Sequence, residues 1–251
     1  MQLRIICGDI TTWPAEAIVN SASESLMSTG GLDNRIYQAG GISLRAACSS
    51  LGGCPEGKAV LTFGYKLPAR YVIHTVAPFW RGGSHHEESQ LLSCYRASLS
   101  LAREKEVHHL AFSSLGTGDK RIPLNRAADV AIPVLLEEGF GFSRIDFVCE
   151  TQEEQDAYTK AVIFYWLQQI NDAAKEDIHT VLEKALTALT VLRQTSDGQE
   201  PMAQADMLLS LRHTLHPFAA LPVPRSIMNL ESTARQVMDI YHLAGTKAQA
   251  N

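Results

Sequence analysis

Three short segments of the chain combine glycines, hydroxyl side chains and carboxylates in patterns that could bind a nucleotide. The first is Gly8-Asp9-Ile10-Thr11, which directly follows an apolar run. A carboxylate at the carboxyl end of a strand can accept a hydrogen bond from an exocyclic amine, and ligands of open α/β sheets bind at that edge. The same residues are equally typical of a turn or a helix cap. This segment alone leaves both interpretations open.

The second segment begins at Asn20-Ser21-Ala22-Ser23 and continues through Ser28-Thr29-Gly30-Gly31-Leu32-Asp33 into a stretch with helical spacing. Paired glycines before a helix let backbone N–H groups approach a phosphate closely, and the positive end of the helix favours the anion. Asp33 falls in the first turn of that helix. Its carboxylate could orient a water molecule at the bound group, or it could only interact favourably with the helix dipole.

The third segment, Ser113-Ser114-Leu115-Gly116-Thr117-Gly118-Asp119, follows the apolar run Leu110–Phe112. Glycines beside a small hydroxyl residue can form a backbone nest for phosphate oxygens, although a flexible strand-to-helix loop has the same composition. Two such loops together with an early acidic residue seldom occur by chance, and they predict a diphosphate-containing nucleotide as the ligand. The spacing fits neither the P-loop nor the Rossmann fingerprint.

The elements that must position these segments alternate between strand-like and helical patterns. Apolar runs rich in β-branched residues predict six strands, at Leu3–Cys7, Ala17–Val19, Ala59–Phe63, Tyr71–Val76, Leu110–Phe112 and Ile145–Cys149. Helical spacing predicts helices at Asp33–Leu51, with a break near Gly40-Gly41, and at Glu87–Glu104, Leu124–Glu138 and Glu153–Ile170. This alternation predicts a three-layer α/β domain with helices on both faces of a central sheet.

The pattern changes after Ile170, where strand-like runs end and three apolar stretches with helical spacing follow. They predict a small all-α segment of unknown role. This segment could form its own bundle, dock on the α/β domain, bind a partner protein or mediate self-association. We therefore divide the chain into an α/β domain at residues 1–170 and a helical segment at residues 171–251.

Composition narrows the possible partners and compartments. The formal net charge of −5 argues against general affinity for nucleic-acid backbones. No apolar run is long enough for a membrane span, and the first residues turn polar too soon for a signal peptide, so we expect the cytoplasm. The five cysteines are scattered, which favours reduced thiols over disulfides or zinc. The run His85-His86-Glu87-Glu88 fits a solvated first helical turn better than a metal site.

Several of these motifs resemble the macro domain family. The matching motifs are Gly8-Asp9-Ile10-Thr11, Ala17-Ile18-Val19-Asn20, Gly30-Gly31-Leu32-Asp33, Ala39-Gly40-Gly41 and the run from Leu67 to Pro78. They are most similar to the bacterial MacroD-like branch, which contains O-acetyl-ADP-ribose deacetylases and mono-ADP-ribosyl-protein hydrolases. The resemblance extends in order over about residues 1–170. It implies a three-layer α/β/α fold with a mixed central sheet.

The resemblance also implies a role for each motif. Asp9 would hold the adenine amine, and Ile10 would line the adenine site. Asp33 would position or activate the attacking water, with Asn20 near the distal ribose. The other ligand-binding residues that it implies are Ser23, Gly30, Gly31, Leu32, Ser114, Leu115, Gly116, Thr117, Gly118, Asp119 and Lys120. The implied reaction is hydrolysis of an ester between ADP-ribose and an acyl group, on the free nucleotide or on an ADP-ribosylated protein, and it requires no metal or cofactor.

The sequence departs from the family pattern in three segments. Ser23 stands where active members carry a second amide, Ser28-Thr29 replaces two glycines, and Lys120 and Arg121 stand where an aromatic residue usually shields the distal ribose. Loss of positioning of this kind can lower a rate by about 100-fold. The alternative expectation is therefore a non-catalytic ADP-ribose reader or metabolite sensor whose helical segment binds a partner.

Overall fold

The computed structural model of the protein describes residues 1–28 and 30–173, without the side chains of residues 163 and 166–173. The strands are β1 (Gln2–Cys7), β2 (Ala17–Ser21), β3 (Ala59–Phe63), β4 (Tyr71–Thr75), β5 (His109–Phe112) and β6 (Arg144–Cys149). The helices are α1 (Gly31–Leu51), α2 (Glu87–Glu104), α3 (Leu124–Glu138) and α4 (Gln152–Ala173), with a short 3₁₀ helix at Ile10–Thr12. All six strands and four helices predicted from the sequence are confirmed. From residue 174 onward, the predicted helical segment lies outside the described residues.

The six strands form one mixed sheet in the order β1-β6-β5-β2-β4-β3. Every neighbouring pair is parallel except β3 and β4, which are antiparallel. Together with the helices, this sheet makes the three-layer α/β/α fold. The carboxyl ends of β1, β2, β4, β5 and β6 lie at the same edge because these five strands are parallel to one another. The loops that follow them therefore meet at that edge, where ligands of such sheets bind.

The central strands form as predicted from their continuous apolar runs. All five residues of β4 are buried, and so are five of the six residues of β6. Burial on both faces is typical of strands covered by helices on each side of a parallel sheet. One core cluster joins Ile18 and Val72 of the sheet to Ile36 and Leu44 of α1. This packing fixes the start of α1 beside the end of β2.

A buried carboxylate ties the first edge of the sheet together. Asp146 of β6 accepts two hydrogen bonds of 2.7 Å from the guanidinium of Arg4, one of 2.8 Å from Trp13 Nε1, and lies 2.7 Å from His109 Nε2. Burial alone would raise the pKa of Asp146, but these partners outweigh it and lower the pKa. The carboxylate thus links β1, β5 and β6 while it remains ionised.

The break predicted in α1 is confirmed at Gly41. This residue has φ +78° and ψ −168°, outside the helical region, within an otherwise continuous helix. A side chain at such a positive φ is strained, whereas glycine adopts it readily. The kink lets the second half of α1 change direction while the first half keeps its end at the sheet edge.

The prediction that His85-His86-Glu87-Glu88 forms a solvated first turn is wrong for Glu87. Its side chain is buried and accepts hydrogen bonds from the backbone N–H groups of Arg81 (2.8 Å), Gly83 (3.1 Å) and His85 (2.6 Å). Burial would raise the pKa of Glu87, but these hydrogen bonds dominate and lower it to about 2. Glu87 therefore organises the loop that precedes α2.

Candidate functional site

A cavity of about 640 Å³ opens at the carboxyl edge of the sheet. Its walls come from the segments that follow β2, β4, β5 and β6 and from the start of α1. The described residues that line it are Ser21, Ala22, Ser23, Glu24, Ser25, Gly30, Gly31, Leu32, Asp33, Phe79, Ser114, Gly116, Thr117, Gly118, Asp119, Lys120, Glu150 and Glu154. A cavity of this volume is large enough for a nucleotide-sized ligand.

Asp33 is a buried carboxylate held by a hydrogen bond at this cavity. It lies in the first turn of α1 and is almost fully buried, yet it lines the cavity wall. Its Oδ1 accepts a hydrogen bond of 2.6 Å from Nδ2 of Asn20, which is completely buried at the end of β2. Asn20 does not line the cavity. It therefore acts behind Asp33 and fixes the orientation of that carboxylate.

The first glycine loop, which contains Gly30 and Gly31, ends where α1 begins. Gly30 is the cap of α1, and among the described residues no side chain caps the first turn of this helix. The first N–H groups of a helix have no intrahelical acceptor, and the helix dipole adds partial positive charge there. Gly30, Gly31 and Leu32 line the cavity at this point. This helix end is thus suited to hold an anionic group beside Asp33.

The segment Ser113-Ser114-Leu115-Gly116-Thr117-Gly118-Asp119 forms the second glycine loop, and Gly116 holds it in shape. Its φ is +77°, and a Cβ atom at this position would lie 2.5 Å from Ile122 Cδ1, so no other residue fits here without rearrangement. Gly116 N–H also donates to Ser21 Oγ over 3.2 Å, which joins this loop to the end of β2. Thr117 Oγ1 donates to Ser114 Oγ at 2.9 Å, and Ser114 Oγ lies 2.7 Å from the Tyr158 hydroxyl. The loop is therefore a rigid wall of the cavity.

Lys120 packs against an aromatic ring and does not extend into solvent, although loop lysines are more often solvated. Its Nζ lies 3.9 Å from the centre of the Phe79 ring and 3.8 Å from Glu56 Oε1. Phe79, which follows β4, is half exposed and lines the cavity. An aromatic surface thus stands at the cavity although the second glycine loop carries none.

The Ser23 hydroxyl is engaged within its own loop. Its Oγ donates to the carbonyl oxygen of Met27 over 3.3 Å and lies 3.3 Å from Ser25 Oγ. Ser23 lines the cavity, but these contacts hold the turn after β2. The Ser23 hydroxyl therefore stabilises this loop.

The charges at the cavity determine how it could hold an anion. Among its described lining residues, Lys120 is the one cation, whereas Glu24, Asp33, Asp119, Glu150 and Glu154 are acidic. The Lys120 ammonium is already beside Glu56. We therefore do not expect cationic side chains to bind a diphosphate in this cavity. Backbone N–H groups of the two glycine loops and the dipole of α1 are the groups suited to it.

Four predicted site residues lie outside the cavity wall. Asn20 lies behind Asp33, as described above. Leu115 is fully buried, and Ile10 is buried in the core beside α1, so neither side chain reaches the cavity. Asp9 is exposed, and its Oδ1 accepts hydrogen bonds from Thr11 N (2.9 Å) and Thr11 Oγ1 (2.8 Å). The structure thus gives Asp9 the helix-cap role that the sequence left open beside the adenine role.

Seven cavity residues were not among the predicted site residues: Ser21, Ala22, Glu24, Ser25, Phe79, Glu150 and Glu154. Phe79 follows Pro78, four residues after the end of β4, and its place after a parallel strand was the available signal. Glu150 and Glu154 follow β6 at the same edge. Glu150 pairs with Arg35 of α1, and its backbone N–H donates to Glu154 Oε2 over 2.7 Å. No pattern in the local sequence distinguishes these glutamates from solvated residues.

Within the part of the chain that the structure describes, no three His, Cys, Asp or Glu side chains converge as metal ligands. No helix formed by the described residues is long and apolar enough to cross a membrane. Fold and site together define an α/β protein whose cavity is lined by two glycine loops, an aromatic ring and a buried aspartate that Asn20 holds from behind.

Comparison with known proteins places this architecture in a family. The model of the Macro domain matches residues 19–131. A macro domain-containing protein of Chlorobaculum tepidum is 44% identical over 163 residues, which cover 64% of this chain and 95% of that protein. The chain therefore belongs to the macro domain family.

Solved structures agree with this assignment. The macrodomain of Oceanobacillus iheyensis with ADP is similar with a TM-score of 0.61 and 30% identity, over 64% of this chain and 90% of that one. The Trypanosoma brucei macrodomain in complex with ADP-ribose is similar with a TM-score of 0.59 and 34% identity, over 64% of this chain and 69% of that one. Both relatives carry an adenine nucleotide.

Proposed function

We propose that this protein binds ADP-ribose and hydrolyses ADP-ribosyl esters, as expected of the MacroD-like branch. Its substrates are O-acetyl-ADP-ribose or proteins that carry ADP-ribose on acidic side chains. The observation that carries the proposal is the Asp33 carboxylate, which lines the cavity and is held by Asn20 at 2.6 Å between the two glycine loops.

The arrangement of the cavity supports a diphosphate position beside Asp33. The uncapped start of α1 and the rigid loop at Gly116 both offer backbone N–H groups for phosphate oxygens. The ADP-ribose in the Trypanosoma brucei relative supports the same ligand for this chain. With the diphosphate in that place, the reacting end of the ligand extends towards Asp33.

In the proposed reaction, Asp33 orients a water molecule between its carboxylate and the diphosphate. The water oxygen attacks the carbonyl carbon of the ester, the bond between that carbon and the ribose oxygen breaks, and the products are ADP-ribose and the free acid. The proton that the water loses passes to Asp33 or to the neighbouring phosphate and is then returned to the leaving ribose oxygen, so a single carboxylate suffices. Asn20 donates to Asp33 Oδ1 and so keeps the carboxylate oriented.

Asp33→Asn tests this proposal directly. We expect the release of acetate from O-acetyl-ADP-ribose and of ADP-ribose from a glutamate-modified protein to fall by about 100-fold or more, since the general base is lost. Calorimetry should show that ADP-ribose affinity changes by less than about threefold, because the backbone binds the diphosphate. Asp129→Asn, on the exposed face of α3, is the matched control and should retain full activity. Wild-type protein that binds ADP-ribose without turnover would exclude the hydrolase.

One observation favours the alternative, a non-catalytic reader or metabolite sensor. Ser23 replaces an amide of active family members, and its hydroxyl is used within the loop by Met27 and Ser25. A reader would bind ADP-ribose through the same loops and leave the ester intact. In that case, residues 171–251 are the proposed partner-binding or self-association segment, and their deletion should abolish partner recruitment without changing ADP-ribose affinity.

A further inference from the structure

Behind Asp33, a row of buried polar side chains crosses three strands of the sheet. Asn20 on β2 hydrogen-bonds Asp33 through Nδ2, and the same nitrogen lies 3.2 Å from His74 Nδ1 on β4. His74 Nε2 lies 3.0 Å from Thr62 Oγ1 on β3. Asn20 and His74 are fully buried, and Asp33 and Thr62 nearly so. Four polar groups are thus connected from the cavity wall to the antiparallel edge strand.

The donors and acceptors in this row can be assigned in one way only while Asp33 is ionised. An amide nitrogen donates and never accepts, so Asn20 Nδ2 supplies one proton to Asp33 and the other to His74 Nδ1. His74 Nδ1 therefore accepts, and the ring proton is on Nε2. That proton is donated to Thr62 Oγ1. A rotated Asn20 amide would instead place its oxygen against the Asp33 carboxylate oxygen.

The surroundings of His74 keep the ring neutral. Burial lowers the pKa of His74 from 6.5 to about 4, so the imidazole carries one proton at neutral pH. On the α1 side, the ring stacks on Tyr37 at a centroid distance of 6.0 Å, and Nε2 lies 3.5 Å from Cys48 Sγ. Burial raises the pKa of both Tyr37 and Cys48, so neither ionises near neutrality. The Arg45 guanidinium, which lies over the Tyr37 ring, is the further charged group on this side.

We propose that Thr62 and His74 are positioning residues for Asp33. The Thr62 hydroxyl determines which ring nitrogen of His74 carries the proton, and this tautomer determines the orientation of the Asn20 amide. The amide in turn holds the Asp33 carboxylate in place. This inference rests on the proposed ester hydrolysis. Neither Thr62 nor His74 lines the cavity, so neither touches the substrate. Their effect reaches the reaction only through the hydrogen bond from Asn20 to Asp33.

Removing the Thr62 hydroxyl should disturb the whole row. In Thr62→Val, the Nε2–H of His74 loses its oxygen acceptor and keeps only the weak sulfur acceptor of Cys48 at 3.5 Å, which favours the other tautomer with the proton on Nδ1. That proton would oppose the N–H of Asn20, so the amide turns and withdraws its donor from Asp33. The carboxylate then loses a hydrogen bond that favours its charged form.

Thr62→Val and Thr62→Ser make a matched pair because valine keeps the shape of threonine while serine keeps its hydroxyl. Acetate release from O-acetyl-ADP-ribose should be measured from pH 5 to pH 9, with ADP-ribose affinity from calorimetry and the His74 tautomer from ¹⁵N NMR. For Thr62→Val, we expect kcat to fall about tenfold and the acidic limb of the pH profile to move to higher pH. KM and ADP-ribose affinity should stay within about twofold, because the backbone still binds the diphosphate. Thr62→Ser should retain the wild-type profile and the Nε2–H tautomer.

The experiment distinguishes a failure of the positioning role from a failure of the proposed function. An active wild type together with an unchanged kcat and pH profile in Thr62→Val would refute the positioning role alone. Equal losses of kcat in Thr62→Val and Thr62→Ser would also refute it, because the hydroxyl would then not matter. A wild type with no turnover would remove the proposed function itself, and the positioning role with it.

Discussion

Asp9 and Asp33 both stand at the carboxyl edge of the sheet, and the resemblance to the family implied that they hold opposite ends of one ligand. Asp9 follows β1, is exposed, and turns its Oδ1 back to Thr11 in the next residues of the chain. Asp33 is buried at the start of α1 and is connected through Asn20 to residues on three strands. The first carboxylate depends on local contacts, whereas the second depends on the assembled sheet.

If the proposed function holds, this difference predicts which end of the ligand the protein specifies more strictly. An exposed carboxylate that caps a short helix can move with little cost to the fold. A buried carboxylate in a connected row of hydrogen bonds cannot move without leaving polar groups unsatisfied. We therefore expect changes at the Asp33 end to alter stability and rate, and changes at the Asp9 end to alter affinity alone.

The largest expected effect is the loss of folding stability at acid pH that His74, behind Asp33, causes. The folded state holds His74 at a pKa of about 4 against 6.5 in the unfolded chain, so the unfolded state binds the extra proton between these values. Stability is therefore complete above pH 6.5 and falls as the pH drops towards 4, by about 3 kcal/mol over the window. Urea unfolding at several pH values between 7.5 and 4.5 measures this slope.

His74→Gln is the control for that measurement, because glutamine can accept from Asn20 and donate to Thr62 without titrating. It should flatten the pH dependence between 6.5 and 4.5. The pKa values of Glu87 and Asp146 are also lowered by folding, but these carboxyls lose their contributions at lower pH, below the ordinary pKa of a carboxyl group. Equal slopes in the wild type and in His74→Gln would show that His74 does not govern the acid response.

An intermediate effect is expected at Asp9. Its Oδ2 makes no hydrogen bond within the described part of the chain and could accept the exocyclic amine of adenine. Asp9→Ala should weaken ADP-ribose binding about tenfold, the value of one good hydrogen bond. The analogue in which a carbonyl replaces the adenine amine should bind both proteins almost equally. Parallel losses for the two ligands in calorimetry would mean that Asp9 acts only as a cap of the 3₁₀ helix.

The sequence predicted the local elements around these two acidic residues but not the long-range contacts of Asp33. The strands and helices follow from apolar periodicity, and the break at Gly41 follows from paired glycines, because both signals are local. The contacts of Asp33 with Asn20, and of Asn20 with His74, depend on the register of β2 against β4, which no local pattern encodes. The burial of Glu87 was missed for a related reason, since its partners are backbone N–H groups of a preceding loop.

The smallest expected effect concerns the Phe79 ring at the cavity. Phe79 lines the cavity and carries the Lys120 ammonium on its ring, so it supplies the surface that the second glycine loop lacks. Phe79→Leu should weaken ADP-ribose binding about fivefold through lost ring contacts. Binding of ADP should change little, because ADP lacks the distal ribose that the ring would cover. The control is Phe63→Leu, which alters an exposed ring on β3 away from the cavity. If ADP and ADP-ribose lose affinity equally in Phe79→Leu, the ring acts on the diphosphate loop through Lys120 and not on the ribose.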